Sequence, residues 1–247
     1  MPLDAETLLR DRAATLNAAY ANHSAVAVMA RALDDPSVGP LALVSSFGAE
    51  SVVLLHMLSV MDRTRPVLFL ETGMLFPETL AYQRAVADRL GLTDIRVIRP
   101  DSADLFAHDP EGDLHTRDPD GCCAIRKTKP LDLALQRFDA WITGRKRYQG
   151  GQRAALDFFE ADAGKLKVNP LAHWDPADVA DYMTNNRLPR HPLVAAGYPS
   201  IGCAPCTSKV APGEDPRAGR WRGRVKTECG IHFAGGRIVP GPAIVAG

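Results

Sequence analysis

Leu41-Ala42-Leu43-Val44-Ser45-Ser46-Phe47-Gly48-Ala49-Glu50-Ser51-Val52-Val53-Leu54-Leu55 is the stretch whose reading decides the fold. Its first four residues form a short apolar run that fits a buried parallel strand. Small and polar residues follow, and Val52 to Leu58 continues as an apolar helix. Strand, small-residue loop and helix together can hold an anion, because loop amides and the positive helix end point at it and Ser hydroxyls add donors. An ordinary strand-to-helix turn also uses Ser and Gly, so the loop alone leaves the ligand open.

The pattern repeats outward. Pro66 to Leu70 reads as a second strand, with Glu71-Thr72-Gly73 at its carboxyl end, where open α/β sheets place their ligands. Pro77 to Leu90 reads as a helix with Gly91 after its end, and Asp94 to Ile98 as a third strand. This alternation predicts an α/β fold, a parallel sheet flanked by helices and covered on both faces. Ala140 to Gly144 is a further strand. It empties into Arg145-Lys146-Arg147-Tyr148-Gln149-Gly150-Gly151-Gln152-Arg153, four cations in nine residues, a clamp for an anionic substrate.

The remaining segments carry less chemistry. Leu8, Leu9, Ala13, Leu16 and Tyr20 recur at helical spacing, so residues 3–33 read as a helical packing segment that ends at Asp34 to Pro40. Residues 100–121, polar and acidic, read as a loop. Asp175-Pro176 opens a helix that runs to Asn185, and His173 and His191 read as structural. Residues 210–247 have little apolar periodicity and read as a mobile tail. The chain is thus expected to be one domain over 1–247, with a helical segment (1–40), a core (41–209) and a tail (210–247).

A chain of 247 residues can bury one sizeable core. Lys+Arg and Asp+Glu balance at 29 each, and zero net charge argues against broad electrostatic binding of nucleic acid. No apolar run is long enough for a bilayer, and Met1 to Glu6 lacks the plan of a signal peptide, so the expected location is cytoplasmic. In a reducing compartment, paired cysteines bind metal or do redox chemistry more often than they form structural disulfides.

Of five cysteines, Cys122 and Cys123 are adjacent, Cys203 and Cys206 form a second close pair, and Cys229 stands alone. Two pairs suit one metal centre, either tetrahedral zinc or an iron–sulfur cluster. Adjacent side chains converge poorly on one small ion, whereas a four-iron cluster offers separate corners, so spacing favours iron–sulfur. Lys127 is near enough to offset a cluster's negative charge. Cys229 could be a free buried thiol. Its neighbours Lys226 and His232, on a segment that forms little core, favour a thiolate nucleophile. If the other four thiols hold metal, none remains to resolve an intermediate, and reducing equivalents must come from outside.

Cys122-Cys123-Ala124-Ile125-Arg126-Lys127, Cys203-Ala204-Pro205-Cys206 and Lys226-Thr227-Glu228-Cys229-Gly230-Ile231-His232, in this order, resemble the assimilatory adenylyl-sulfate reductases of the adenylyl-sulfate and phosphoadenylyl-sulfate reductase family. The likeness runs from about Leu43 to His232. It implies a fold like the adenine-nucleotide α-hydrolases and a [4Fe-4S] cluster on Cys122, Cys123, Cys203 and Cys206. It also implies that Cys229 attacks the sulfur of adenylyl sulfate, that AMP leaves, and that thioredoxin or a similar dithiol donor releases sulfite. It places Ser45, Ser46, Phe47, Gly48, Ala49, Glu50, Ser51, Thr72 and Gly73 on the nucleotide. Around the phosphate–sulfate it places Lys127, Arg145, Arg147, Arg153, Arg217, Arg220 and His232. The expected partners are small molecules and the donor, with room for a homo-oligomer and no nucleic acid or membrane.

Four residues depart from the family pattern, at three places. Phe47 and Ala49 replace small residues of ATP-splitting relatives, which disfavours ATP hydrolysis; Glu71 stands where Asp is usual, and Tyr148 where many relatives have Asp. The competing readings are reduction of 3′-phosphoadenylyl sulfate, a zinc-stapled ATP-dependent sulfur-transfer or RNA-modifying enzyme, and a non-catalytic iron–sulfur sensor.

Overall fold

The computed structural model describes residues 4–150, 153–224, 226 and 228. The N-terminal segment is two helices, α1 (Ala5–Tyr20) and α2 (Ala25–Asp34), where the periodicity had suggested one. Ser24 makes the break. Its side chain accepts from the Ala27 amide and starts α2 afresh, as Asp4 does for α1 through Thr7.

The α/β core follows: β1 (Leu41–Ser45), α3 (Val52–Met61), β2 (Val67–Leu70), α4 (Pro77–Leu90) and β3 (Ile95–Ile98). Helix α3 buries Val52, Val53, Leu54, Leu55, Met57 and Leu58, as a helix apolar on most sides must. Pro77 opens α4, and Gly91 closes it in the left-handed conformation at φ 64°. Residues 100–121, expected as loop, contain α5 (Ser102–His108), α6 (Leu114–Arg117) and the start of α7 (Pro119–Cys123). Their helical signal is capping rather than periodicity. Asp101 accepts from Ala103 and Asp104 amides, and Asp118 from Asp120 and Gly121. A π-helical turn, Ala124–Thr128, joins α7 to α8 (Lys129–Leu135).

Strand β4 (Ala140–Ile142) returns to the sheet, and a hairpin of β5 (Phe159–Asp162) and β6 (Lys165–Val168) completes it. The hairpin was not anticipated, because its charged residues mask a period-2 pattern. Phe159 and Ala161 alternate with Glu160 and Asp162, and Leu166 and Val168 with Lys165 and Lys167. Ala163 and Gly164, both at positive φ (50° and 75°), make the two-residue turn. Helices α9 (Pro176–Asn185) and α10 (Pro192–Ala195) follow; Asp175 and Asp178 form the reciprocal cap of α9.

Among the described residues the six strands form one sheet in the order β3-β2-β1-β4-β6-β5, parallel except for β5. One face carries the main core, including Leu41, Leu43, Ile142, Val67 and Phe69 with α3. The other buries Ala42, Leu68, Leu70 and Trp141 under Leu131 and Leu135 of α8. Each such aliphatic side chain, fully buried, contributes about 1.5–3 kcal/mol. The chain runs outward from β1 to β2 and β3, then crosses back to β4 on the opposite flank. This reversal opens a crevice at the carboxyl ends of β1 and β4.

Candidate active site

A cavity of about 520 Å³ fills that crevice. The loop after β1 supplies Ser45, Ser46, Gly48, Ala49, Glu50 and Ser51; Thr72 comes from the end of β2. The segment after β4 supplies Arg145, Lys146 and Arg153, and the chain beyond α10 supplies Cys203, Arg217, Arg220 and Glu228. Lys127 reaches in from the π-turn. Val44, Leu54, Leu70 and Trp141 give one part of the wall an apolar surface. The cavity is therefore lined by both apolar side chains and cations.

The loop after β1 satisfies part of its own backbone. Ser45 Oγ accepts from the Phe47 amide at 3.1 Å, and Ser51 Oγ from the Gly48 amide at 3.0 Å. Those two donors are thus engaged within the loop. Phe47 does not line the cavity. It takes φ 47°, is fully buried, and packs edge-on against Phe69 in the main core. Its strained backbone aims its neighbours at the crevice while its ring anchors the loop.

Gly73 and Arg147 also lie off the cavity wall. Gly73 turns the chain at φ 72°, and its amide donates to Glu71 Oε1 at 2.7 Å, so Glu71 serves this turn and also pairs with Arg99. Arg147 enters a 3₁₀ turn (Arg147–Gln149) and donates to the Leu156 carbonyl at 2.6 Å and to Asp157. Lys146 faces the cavity in its stead. No pattern in the basic run distinguishes these two neighbours; the turn does.

Lys146 is buried and donates to Glu50 Oε2 at 2.7 Å. Burial pushes its ammonium below the usual lysine range, against the pull of Glu50. Tyr148 donates to the same carboxylate, 2.9 and 3.0 Å from its two oxygens, and burial followed by Glu50's charge raises its phenol. Arg145 is buried and paired with Glu160 of β5; burial lowers it from the usual range. The guanidinium of Arg153 meets Glu228 with two bonds of 2.6 Å, Nε to Oε1 and Nη2 to Oε2.

One of the thiols borders this cavity. Cys203 lines it and lies 3.3 Å from Thr72 Oγ1. An antiparallel bridge between Leu75 and Cys203 ties the second cysteine pair to the chain after β2. Cys122, Cys123 and Cys203 are buried, Cys206 is half-buried, and none of the four is in a disulfide. Burial pushes the Cys122 thiol up to about 11, with Cys203 and Cys206 adding to the rise. Cys206 is raised by burial and by Cys203, with Lys127 opposing. Two cysteine pairs distant in sequence are thus electrostatic neighbours, and Lys127, which lines the cavity, acts on one of them through Cys206. Among the described residues no three His, Cys, Asp or Glu side chains are grouped to hold a single metal ion.

One buried cation beside the site went unnoticed in the sequence. Arg126 is buried, donates to the Thr72 carbonyl at 2.9 Å, and pairs with Asp109 at 2.6 Å. His191 is buried between Thr79, at 3.1 Å, and the Leu193 amide, and burial lowers it to about 4. It is structural, as expected. Cys229 and His232 lie outside the described residues; Lys226 and Glu228, just before them, are described. Trp221, in the segment 210–224, is buried beneath Arg220 at 4.4 Å.

A mostly parallel sheet whose strand reversal opens a crevice lined by apolar side chains, cations and Cys203 is the arrangement in which open α/β folds place a ligand. The chain belongs to the phosphoadenosine phosphosulfate reductase family, whose domain matches residues 40–209. It is 50% identical over 232 residues to an adenosine 5′-phosphosulfate reductase of Mesorhizobium japonicum, covering 94% of this chain and 91% of the relative. A phosphoadenosine 5′-phosphosulfate reductase of Gloeobacter violaceus is 45% identical, with 78% and 82% covered. The fold resembles that of a phosphoadenylyl-sulfate reductase from Candida auris at TM-score 0.69 and 28% identity, covering 85% of this chain and 99% of that one. An FMN adenylyltransferase of Candida glabrata shares the fold alone, at TM-score 0.55 and 16% identity. Among the described residues no helix is long and apolar enough to cross a membrane.

Proposed function

We propose that this protein reduces adenylyl sulfate to sulfite and AMP in assimilatory sulfate reduction, using electrons from thioredoxin or a similar dithiol. The observation that carries the reading is the cavity itself. Its apolar side chains suit an adenine, and its cations, including Lys127, Arg145, Lys146, Arg153, Arg217 and Arg220, suit the phosphate–sulfate. The adenosine 5′-phosphosulfate reductases of Mesorhizobium japonicum and Chelativorans, each half identical to this chain, support it.

In this scheme the Cys229 thiolate attacks the sulfur of adenylyl sulfate. An S–S bond forms, the S–O bond to AMP breaks, and its electron pair departs on the phosphate oxygen. The cavity's cations stabilise that charge as it develops. A donor thiolate then attacks Sγ of the sulfonated cysteine and sulfite leaves with the bonding pair. The donor's second thiol frees Cys229, so the dithiol becomes a disulfide and two electrons reach the sulfur.

Cys122, Cys123, Cys203 and Cys206 fit a [4Fe-4S] cluster as a donor set: four thiols outside any disulfide, three of them buried, with Cys122, Cys203 and Cys206 close enough to act on one another's charge. When bound, such a cluster would supply charge and a structural clamp at the pocket's edge.

Cys229→Ser is expected to abolish sulfite formation while adenylyl sulfate still binds. Continued turnover by that variant would remove Cys229 from the chemistry. The Gloeobacter violaceus relative raises the 3′-phosphorylated nucleotide as the second substrate to assay. Initial rates with each nucleotide discriminate between the two.

A further inference from the structure

Glu228 is the residue immediately before the proposed nucleophile, and its carboxylate is inside the cavity rather than on the surface. It is 6% exposed, and it takes both ends of the Arg153 fork at 2.6 Å, with Arg217 Nη2 3.5 Å away. Bidentate guanidinium pairing of this kind is how proteins hold phosphates and sulfates as well as carboxylates. Arg153 also meets Gln149 Oε1, so its donors toward the cavity are engaged from both sides.

The other pairs made by the cavity's cations differ in kind. Glu50, which takes Lys146, is fixed in the loop after β1, and Glu160, which takes Arg145, belongs to β5. Both of those carboxylates already reach water, with side chains 35% and 34% exposed, whereas that of Glu228 is 8% exposed. Glu228 comes after the last regular element, on a segment tied elsewhere by Lys226 to Asp120 of α7 and by Arg224 to the His115 carbonyl. It can leave Arg153 while those ties remain.

We infer that Glu228 is a built-in anion that competes with the phosphate–sulfate of the substrate for Arg153 and Arg217, and that the substrate enters by displacing it. Displacement sends the carboxylate to water, because a buried charge stripped of its partner is strongly unfavourable. Departure of AMP restores the pair, so the same carboxylate helps to clear the product. The inference rests on the reading of the cavity as an adenylyl-sulfate site.

The test uses the full chain carrying Cys229→Ser, which binds adenylyl sulfate without turning it over. Adding Glu228→Gln removes the competing charge and should tighten adenylyl sulfate binding about tenfold, the equivalent of 1.4 kcal/mol. Glu228→Ala should do so at least as strongly. A residue that merely braces Arg153 would lower the melting temperature and leave binding unchanged or weaker, and that result overturns the inference. Hydrogen exchange on the Cys229→Ser chain supplies a reading that needs no change at Glu228. The peptide covering 224–228 should exchange faster with adenylyl sulfate bound; equal or slower exchange overturns the inference. If the Cys229→Ser chain does not bind adenylyl sulfate at all, the functional reading fails first and the inference falls with it.

Discussion

The Arg126 side chain, bonded to the carbonyl at the end of β2, is 7% exposed, opposite an Asp109 whose side chain is fully buried. Burial by itself would raise the Asp109 carboxyl. The Arg126 guanidinium and the Leu114 amide outweigh it and hold the group below its usual range. A carboxylate depressed in the folded state contributes stability above its unfolded pKa and loses it as pH falls through the folded value. Arg126→Met removes the guanidinium and leaves burial opposed only by the Leu114 amide and the charge of Arg117, which moves the carboxyl upward. Breaking such a buried pair costs about 3–5 kcal/mol near neutrality. The expected loss is therefore largest near pH 7 and smaller near pH 4.5, where Asp109 can take a proton. Urea unfolding of both proteins at the two pH values measures this. A loss independent of pH would mean that Asp109 does not depend on Arg126 for its charge.

At the scale of elements, the π-turn from Ala124 to Thr128 decides where two cations go. A π-turn adds a residue to the helical round and often marks a functional site. Here Arg126 is buried against Asp109 while Lys127, the next residue, lines the cavity and acts on Cys206. Lys127→Ala is expected to lower turnover on the order of a hundredfold, as loss of a positioned charge does. Its folding stability should change by less than about 1 kcal/mol. Matched losses in rate and melting would assign Lys127 to structure.

The sequence carried some of these elements and concealed others, for physical reasons. The strands β1, β2 and β4 are short apolar runs, and runs of that kind are visible without a structure. The helices α5 to α7 have too few turns for periodicity, and only their Asp caps mark them. The hairpin of β5 and β6 turns charged side chains to the sheet face that buries Trp141, where Lys167 lies 4.8 Å over the indole and pairs with Asp162. Charge there looked like exposure. Glu50 and Glu228 were legible as residues but not as partners, because each is coupled to a cation far along the chain, Lys146 and Arg153.

On the scale of the whole molecule, the cysteines draw together segments that the sheet does not join. Cys122 and Cys123 end α7, whereas Cys203 and Cys206 lie beyond α10, bonded to the turn after β2. Burial and mutual repulsion hold the Cys122 and Cys206 thiols up, so deprotonating them without a cation beside them would be costly. A bound cluster would reverse that cost and convert metal affinity into folding stability. Protein purified without oxygen is therefore expected to contain about four iron and four sulfide per chain and a visible absorption band. Stripping the iron should lower the melting temperature and speed proteolysis both around 114–128 and around 199–224, because one centre would clamp both segments. Loosening of one segment alone would break the four-thiol assignment. Stoichiometric zinc with no sulfide would instead support a zinc-stapled protein and remove the cluster from the anion pocket's electrostatics.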